Sequence, residues 1–111
     1  MSPVDVVEKQ VETYNAQNLD AFCACFAEDC VIADLNGAVT QSGLTQVRER
    51  YRALFAQYPD NRAEIAHRMA VGNVVIDHEI VQRSPELRIE AIAIYTVRDG
   101  FISRVDFVRA S

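Results

Sequence analysis

Val4, Val7, Val11 and Tyr14 return every three or four residues, the period of an amphipathic helix. Ser2-Pro3-Val4-Asp5 opens that helix with a serine cap, a proline in the first turn and an acid three residues past the cap. Asn15-Ala16-Gln17-Asn18 interrupts the run, and Leu19, Phe22, Cys23 and Phe26 form the apolar stripe of a second, short helix. Cys30–Asp34 reads as a strand, followed by an Asn36-Gly37 turn of the hairpin type. Ser42 caps or precedes a third helix whose apolar face is Val47, Tyr51, Leu54 and Phe55. Tyr58-Pro59-Asp60-Asn61 ends it.

Beyond that point the period shortens to that of strands. Four long ones, at 62–71, 74–83, 87–98 and 101–109, are separated by Gly72-Asn73, Ser84-Pro85-Glu86 and Asp99-Gly100. Helices first and an antiparallel meander afterwards specify an α+β domain, with the helices packed on one face of a curved sheet.

Composition narrows the function more than the fold. At 111 residues, half of them hydrophobic, the chain is long enough for one domain (1–111) with its own core. A formal charge of −5 disfavours phosphate backbones, so no nucleic-acid partner is expected. No run approaches the length of a membrane span and no apolar segment follows a basic start; a cytoplasmic protein without a membrane partner is expected. Cys23 and Cys25 lie about 200° apart around a helix and cannot converge on one ion. With Cys30 they read as small buried thiols.

The candidate chemistry centres on "VVIDHEIV", residues 74–81, where two acids and a histidine interrupt an apolar strand. With Gly72-Asn73 as a two-residue turn, Val71 faces Val74, Arg68 faces Asp77, His67 faces His78 and Ala66 faces Glu79. Arg68, Asp77 and Glu79 then share one face of the sheet, and His67 and His78 share the other with Ile65, Met69, Ile76 and Ile80. Two arrangements satisfy this alternation. Either the apolar face is the core and Arg68–Asp77 is a solvated ion pair worth under about 1 kcal/mol, or the charged face floors a pocket and the apolar face meets another subunit. Two histidines without a His-x-His pattern give no reason to expect a metal or other cofactor. At the last hairpin, a two-residue Asp99-Gly100 turn pairs Glu90 with Arg109 and Ala93 with Asp106, unless a bulge shifts the register.

Two stretches, "YNAQNLDAFCACFAEDCVIADLNG" and "SGLTQVRERY", together with the element order, resemble the nuclear-transport-factor-2-like superfamily, which includes ketosteroid isomerases and SnoaL-like polyketide cyclases. The resemblance covers nearly the whole chain. It implies a cone-shaped fold with three N-terminal helices on a strongly curved, mainly antiparallel sheet. It also implies a deep pocket for a small apolar molecule, and a homodimer formed through the sheet. The isomerase's general base matches Asp34, and a supporting tyrosine matches Tyr51. Its two oxyanion donors fall on Gln10 and near Ala93, where neither donor is kept. Because such donors carry much of the transition-state stabilisation, steroid isomerisation by that route is not expected. An ungapped match around "AVGN" sets Asp77 and Glu79 at pocket-lining positions, which favours the charged-floor arrangement.

Asp34, Glu79 and Asp77 are therefore the candidate catalytic residues, Asp34 as base and one of the others as a second acid. The expected chemistry is acid–base work of isomerase, cyclase or hydrolase-like type. Phe22, Phe26 and Phe55 are candidate cavity walls, Arg68 a placed charge, and Tyr14, Tyr51 and Tyr95 candidate hydroxyl donors. The competing class is a non-catalytic ligand-binding or assembly module.

Overall fold

Ser2 caps the first helix as its sequence requires. Its hydroxyl accepts from the Asp5 N–H at 3.1 Å and the Asp5 carboxylate accepts from the Ser2 N–H at 3.0 Å. In this computed structural model, which describes residues 1–110, the elements are α1 (Pro3–Asn15), α2 (Leu19–Cys23), β1 (Phe26–Asp34), β2 (Val39–Ser42), α3 (Leu44–Gln57), β3 (Arg62–Val71), β4 (Val74–Ser84), β5 (Leu87–Arg98) and β6 (Phe101–Arg109). They form the expected α+β fold, with helices on one face of a single curved sheet of order β2-β1-β6-β5-β4-β3. Every neighbouring pair is antiparallel except β1 and β6, which run parallel. No helix of the described residues is long and apolar enough to cross a membrane.

Local departures from the sequence reading have identifiable causes. On α1, Val4 stands outside, while Val6 and Gln10 turn inward beside Val7, Val11 and Tyr14. Phe26 is buried as expected but opens β1 instead of closing α2, because a stripe at 22, 23 and 26 fits a helix even where the chain has already extended. Short β2 was not expected; Ser42, its last residue, precedes α3, and Gly43 (φ 90°) takes the cap position. A β-carbon at that φ is strained, so glycine suits the position.

Both hairpins that flank the central strands carry a one-residue bulge. In the first, Val71–Val74, Arg68–Asp77 and His67–His78 pair as expected, but Ile65, not Ala66, faces Glu79. Ala66 is the extra residue, and the slip moves Ile65 to the Glu79 face, away from the histidines. In the second, Asp99 and Gly100 both adopt left-handed φ, as a type I′ turn requires. Ser103 is then skipped, so that Ala93 faces Phe107 and Ala91 faces Arg109; the pairs Glu90–Arg109 and Ala93–Asp106 do not form.

The core lies between the helices and the inner face of the sheet. Phe22 is its centre, with ring centroids 4.5 Å from Tyr51 and 5.0 Å from Phe26. Cys23, Cys25 and Cys30 are buried and unbridged, and burial pushes their thiols up, Cys30 to about 11, so they are packing groups and not thiolate nucleophiles.

Candidate functional site

The inner face of the sheet is organised in cross-strand rows. Val75, Tyr95, Val105 and Ile32 make one; Asp77, Ala93, Phe107 and Asp34 the next; Glu79, Ala91 and Arg109 the third. The two alanines are buried on the central strand β5. Their small side chains leave room for Tyr95 to reach along the face, where its hydroxyl donates to a Glu79 oxygen at 3.1 Å. Above this row a cavity opens beneath α1 and α3. It leaves about 40 Å³ for the centre of a water-sized body, more than a single water needs.

Four polar groups reach the cavity from the helices: Gln10 and Tyr14 from α1, and Arg50 and Tyr51 from α3. Glu79, Arg83, Tyr95 and Arg109 do so from the sheet, and Phe26, Val81, Ile89 and Val105 are apolar wall. Three guanidinium groups thus face the cavity against one carboxyl, in a chain of net charge −5. Arg83 spans from β4 to the helices, donating to the Tyr14 hydroxyl at 2.7 Å and to Asn61 Oδ1 at 2.8 Å. Arg50 donates to Gln41 Oε1 at 2.7 Å and lies over the rings of Tyr51 and Phe107. Gln10 Oε1 is buried with no hydrogen-bond partner among the described residues.

Glu79 is only 8% exposed. Burial, and then the nearby negative charge of Asp77, push its carboxyl up to about 7; the Tyr95 hydroxyl, Arg83 and Arg109 act in the opposite direction. The hydroxyls of Tyr95 and Tyr51 are pushed upward, chiefly by burial, so both are held as neutral hydroxyls.

The sequence-derived candidates divide accordingly. Tyr14, Phe26, Tyr51, Glu79 and Tyr95 line the cavity. Phe22 and Phe55 belong instead to the aromatic cluster behind it, where their rings lie 6.0 Å apart. Asp77 faces inward but is fully buried under Arg68, whose Nε and Nη2 donate to its two oxygens at 2.6 and 3.0 Å; the same guanidinium also bonds Glu8. That arrangement is neither the solvated pair nor the open pocket floor, because both carboxylate oxygens are already engaged. Asp34, the expected base, is 52% exposed at the end of β1, outside the cavity lining, and accepts from Arg109 at 3.2 Å. The sequence reading passed over Arg50, Arg83 and Arg109. Arg83 was within reach, since it continues the alternation Asp77, Glu79, Val81 along β4; Arg109 was not, because only the Ser103 bulge turns it inward. Among the described residues no cluster of His, Cys, Asp or Glu could hold a metal ion.

The structure is similar to that of an uncharacterised cystatin-fold protein from Novosphingobium aromaticivorans, with a TM-score of 0.93 at 30% identity over 98% of this chain and 99% of that one. A candidate polyketide cyclase from Sinorhizobium meliloti matches at 0.80, with 23% identity over 94% of each chain. A candidate ketosteroid isomerase from Kribbella flavida matches at 0.82, with 19% identity over 96% of this chain and 76% of that one. At those identities the last two share the fold alone. No curated protein matches the sequence. The profile of the SnoaL-like domain, however, aligns with residues 7–105. That span runs from the middle of α1 into β6 and includes every cavity-lining residue except Phe107 and Arg109, so the chain belongs to the SnoaL-like domain family.

Proposed function

We propose that this protein is a small-molecule enzyme that moves a proton on a bound carbonyl compound, in an isomerase-, cyclase- or hydrolase-like step, with Glu79 as the proton-transfer group. The observation that carries this reading is Glu79 itself. It is a cavity carboxyl bonded to one tyrosine and poised near pH 7, where a group can both take and return a proton. Removing a proton beside a carbonyl leaves negative charge on the carbonyl oxygen. The isomerase's donors for that charge fall on Gln10 and near Ala93 and are not kept, and the guanidinium of Arg83 supplies a positive field in the cavity. Asp34 enters only as the partner of Arg109.

Glu79→Gln keeps the shape and removes the titrating proton. Deuterium incorporation from heavy water into the α-position of a panel of ketones and keto acids, followed by NMR, should fall about a hundredfold in that variant. Asp34→Asn should stay within a few-fold of the parent. Parental exchange no faster than buffer across the panel would end the enzyme reading, and unchanged exchange in Glu79→Gln would remove Glu79 from it.

We also propose that a second copy covers the outer face of the sheet. Ile92 and Val108 are exposed cross-strand neighbours there, Met69 and Val71 stand out from β3, and the rings of His67 and His78 stack at 5.5 Å beside them. Sedimentation should give twice the chain mass of 12.4 kDa, and Ile92→Lys should return the single chain. A monomeric parent at micromolar concentration contradicts the assignment.

A further inference from the structure

The rim of the cavity carries a second feature, distinct from Glu79. Arg50 and Arg109 come from opposite sides, α3 and β6, and both guanidiniums lie over the ring of Phe107, with Cζ 5.6 Å and 4.5 Å from its centroid. A guanidinium has five N–H donors. Among the described residues Arg50 spends one on a neutral amide, Gln41, and Arg109 spends one on Asp34. No carboxylate is paired with Arg50 among the described residues, and Asp34 balances only one of the two cations. Two like charges held against one ring repel each other, and an anion placed between them relieves that repulsion. The rim is thus short of one negative charge and rich in unspent planar donors.

We propose that the ligand of this cavity carries a single carboxylate, clamped by Arg50 and Arg109 over Phe107, with its apolar body inserted along Ala91 toward Glu79 and Tyr95. The assignment rests on the reading of the cavity as the ligand site and adds the chemical class of what it takes. A carboxylate suits the forked geometry of guanidinium donors, and one negative charge matches the excess at the rim. Contact with the Phe107 ring holds both guanidiniums near one another at the rim, which lowers the cost of ordering them on binding. Ala91 lies between Glu79 and Arg109 in one cross-strand row, so a ligand held by its carboxylate at Arg109 points its neighbouring carbons at Glu79. This refines the small apolar ligand expected from the family resemblance by giving it one carboxylate.

The test uses phenylacetate, its neutral amide phenylacetamide, the cation phenethylamine and the dianion phenyl phosphate, titrated by calorimetry at pH 6. Phenylacetate should bind at least tenfold more tightly than the amide, and phenethylamine should bind most weakly. Arg50→Met and Arg109→Met should each remove the preference for acid over amide while leaving amide binding in place; circular dichroism confirms that each variant is folded. Arg50→Lys, which keeps the charge without the fork, should retain part of the preference. Ala91→Leu, which fills the row, should abolish binding of acid and amide alike. Equal affinity for acid and amide, a preference for the amine or the phosphate, or an acid preference that survives the double arginine variant would overturn the proposal. So would undiminished binding in Ala91→Leu. Phenylacetate binding should persist in Glu79→Gln. Loss of α-exchange with retained acid binding therefore isolates the proton-transfer reading, and α-exchange without acid preference isolates the failure of this one.

Discussion

Replacing Arg68 by methionine should destabilise the protein by about 3–5 kcal/mol in urea unfolding at neutral pH, far more than most substitutions at a partly exposed arginine. The reason lies in its partner. Asp77 is fully buried, and both its oxygens take hydrogen bonds from that one side chain. Asp77 in turn holds the Arg68 guanidinium well above its usual range. The second bond, from Arg68 to the half-exposed Glu8, contributes little because water screens it. Methionine leaves a carboxylate with no partner in a place that water does not reach. A second substitution, Asp77→Asn, removes that charge and should recover most of the loss, so the double variant should be markedly more stable than Arg68→Met alone. A cost below about 1 kcal/mol for Arg68→Met would mean that Asp77 finds water or another donor, and its burial would carry no energetic weight.

The same pair illustrates how far the sequence can be read. Alternation along "VVIDHEIV" assigns Asp77 and Glu79 to one face and His78 to the other, because side chains of a strand alternate whatever surrounds them. Which face is inside is a tertiary question. It is decided by the helices packing on that face, and nothing local to residues 74–81 encodes it. The strand limits were legible for a similar reason: Gly72, Pro85 and the Asp99-Gly100 pair mark turns chemically. The bulge at Ala66 was not, and the one at Ser103 stood only as an open alternative without a position. A one-residue insertion leaves composition and propensity almost unchanged, yet it carries Ile65 and Arg109 from the outer face to the inner one. Arg109 is the costly omission, since its inward turn gives the cavity rim its second cation. The resemblance to ketosteroid isomerases correctly signalled the fold, but Asp34 stands outside the cavity wall and pairs with Arg109. Fold and site are separable properties, and here the site follows the side chains.

Glu79 should leave a clear trace in stability as well as in turnover. Its carboxyl titrates near 7 when folded and near the ordinary 4.5 when unfolded. Below pH 4.5 both states hold the proton. Between 4.5 and 7 only the folded state keeps it, so unfolding releases a proton and the stability contributed by this group falls as pH rises. Above 7 the folded protein must bury a carboxylate, with the Tyr95 hydroxyl as its hydrogen-bond partner. A displacement of that size corresponds to roughly 3 kcal/mol across the window. Glu79→Gln keeps a partner for Tyr95 and does not titrate. The difference in unfolding free energy, parent minus variant, should therefore decrease by roughly 3 kcal/mol between pH 4.5 and pH 8, with the variant the more stable of the two at the alkaline end. Taking the difference cancels the groups common to both proteins, including Asp34 and the surface carboxylates. A difference that stays level within about 0.5 kcal/mol, the usual spread for an inconsequential substitution, would show that Glu79 titrates as an ordinary glutamate. Glu79 would then stand as an ordinary ionised carboxylate, able to take a proton as a base but with no proton of its own to give as an acid at neutral pH. A decrease of the expected size would tie the cost of burying this acid to the proton it can exchange.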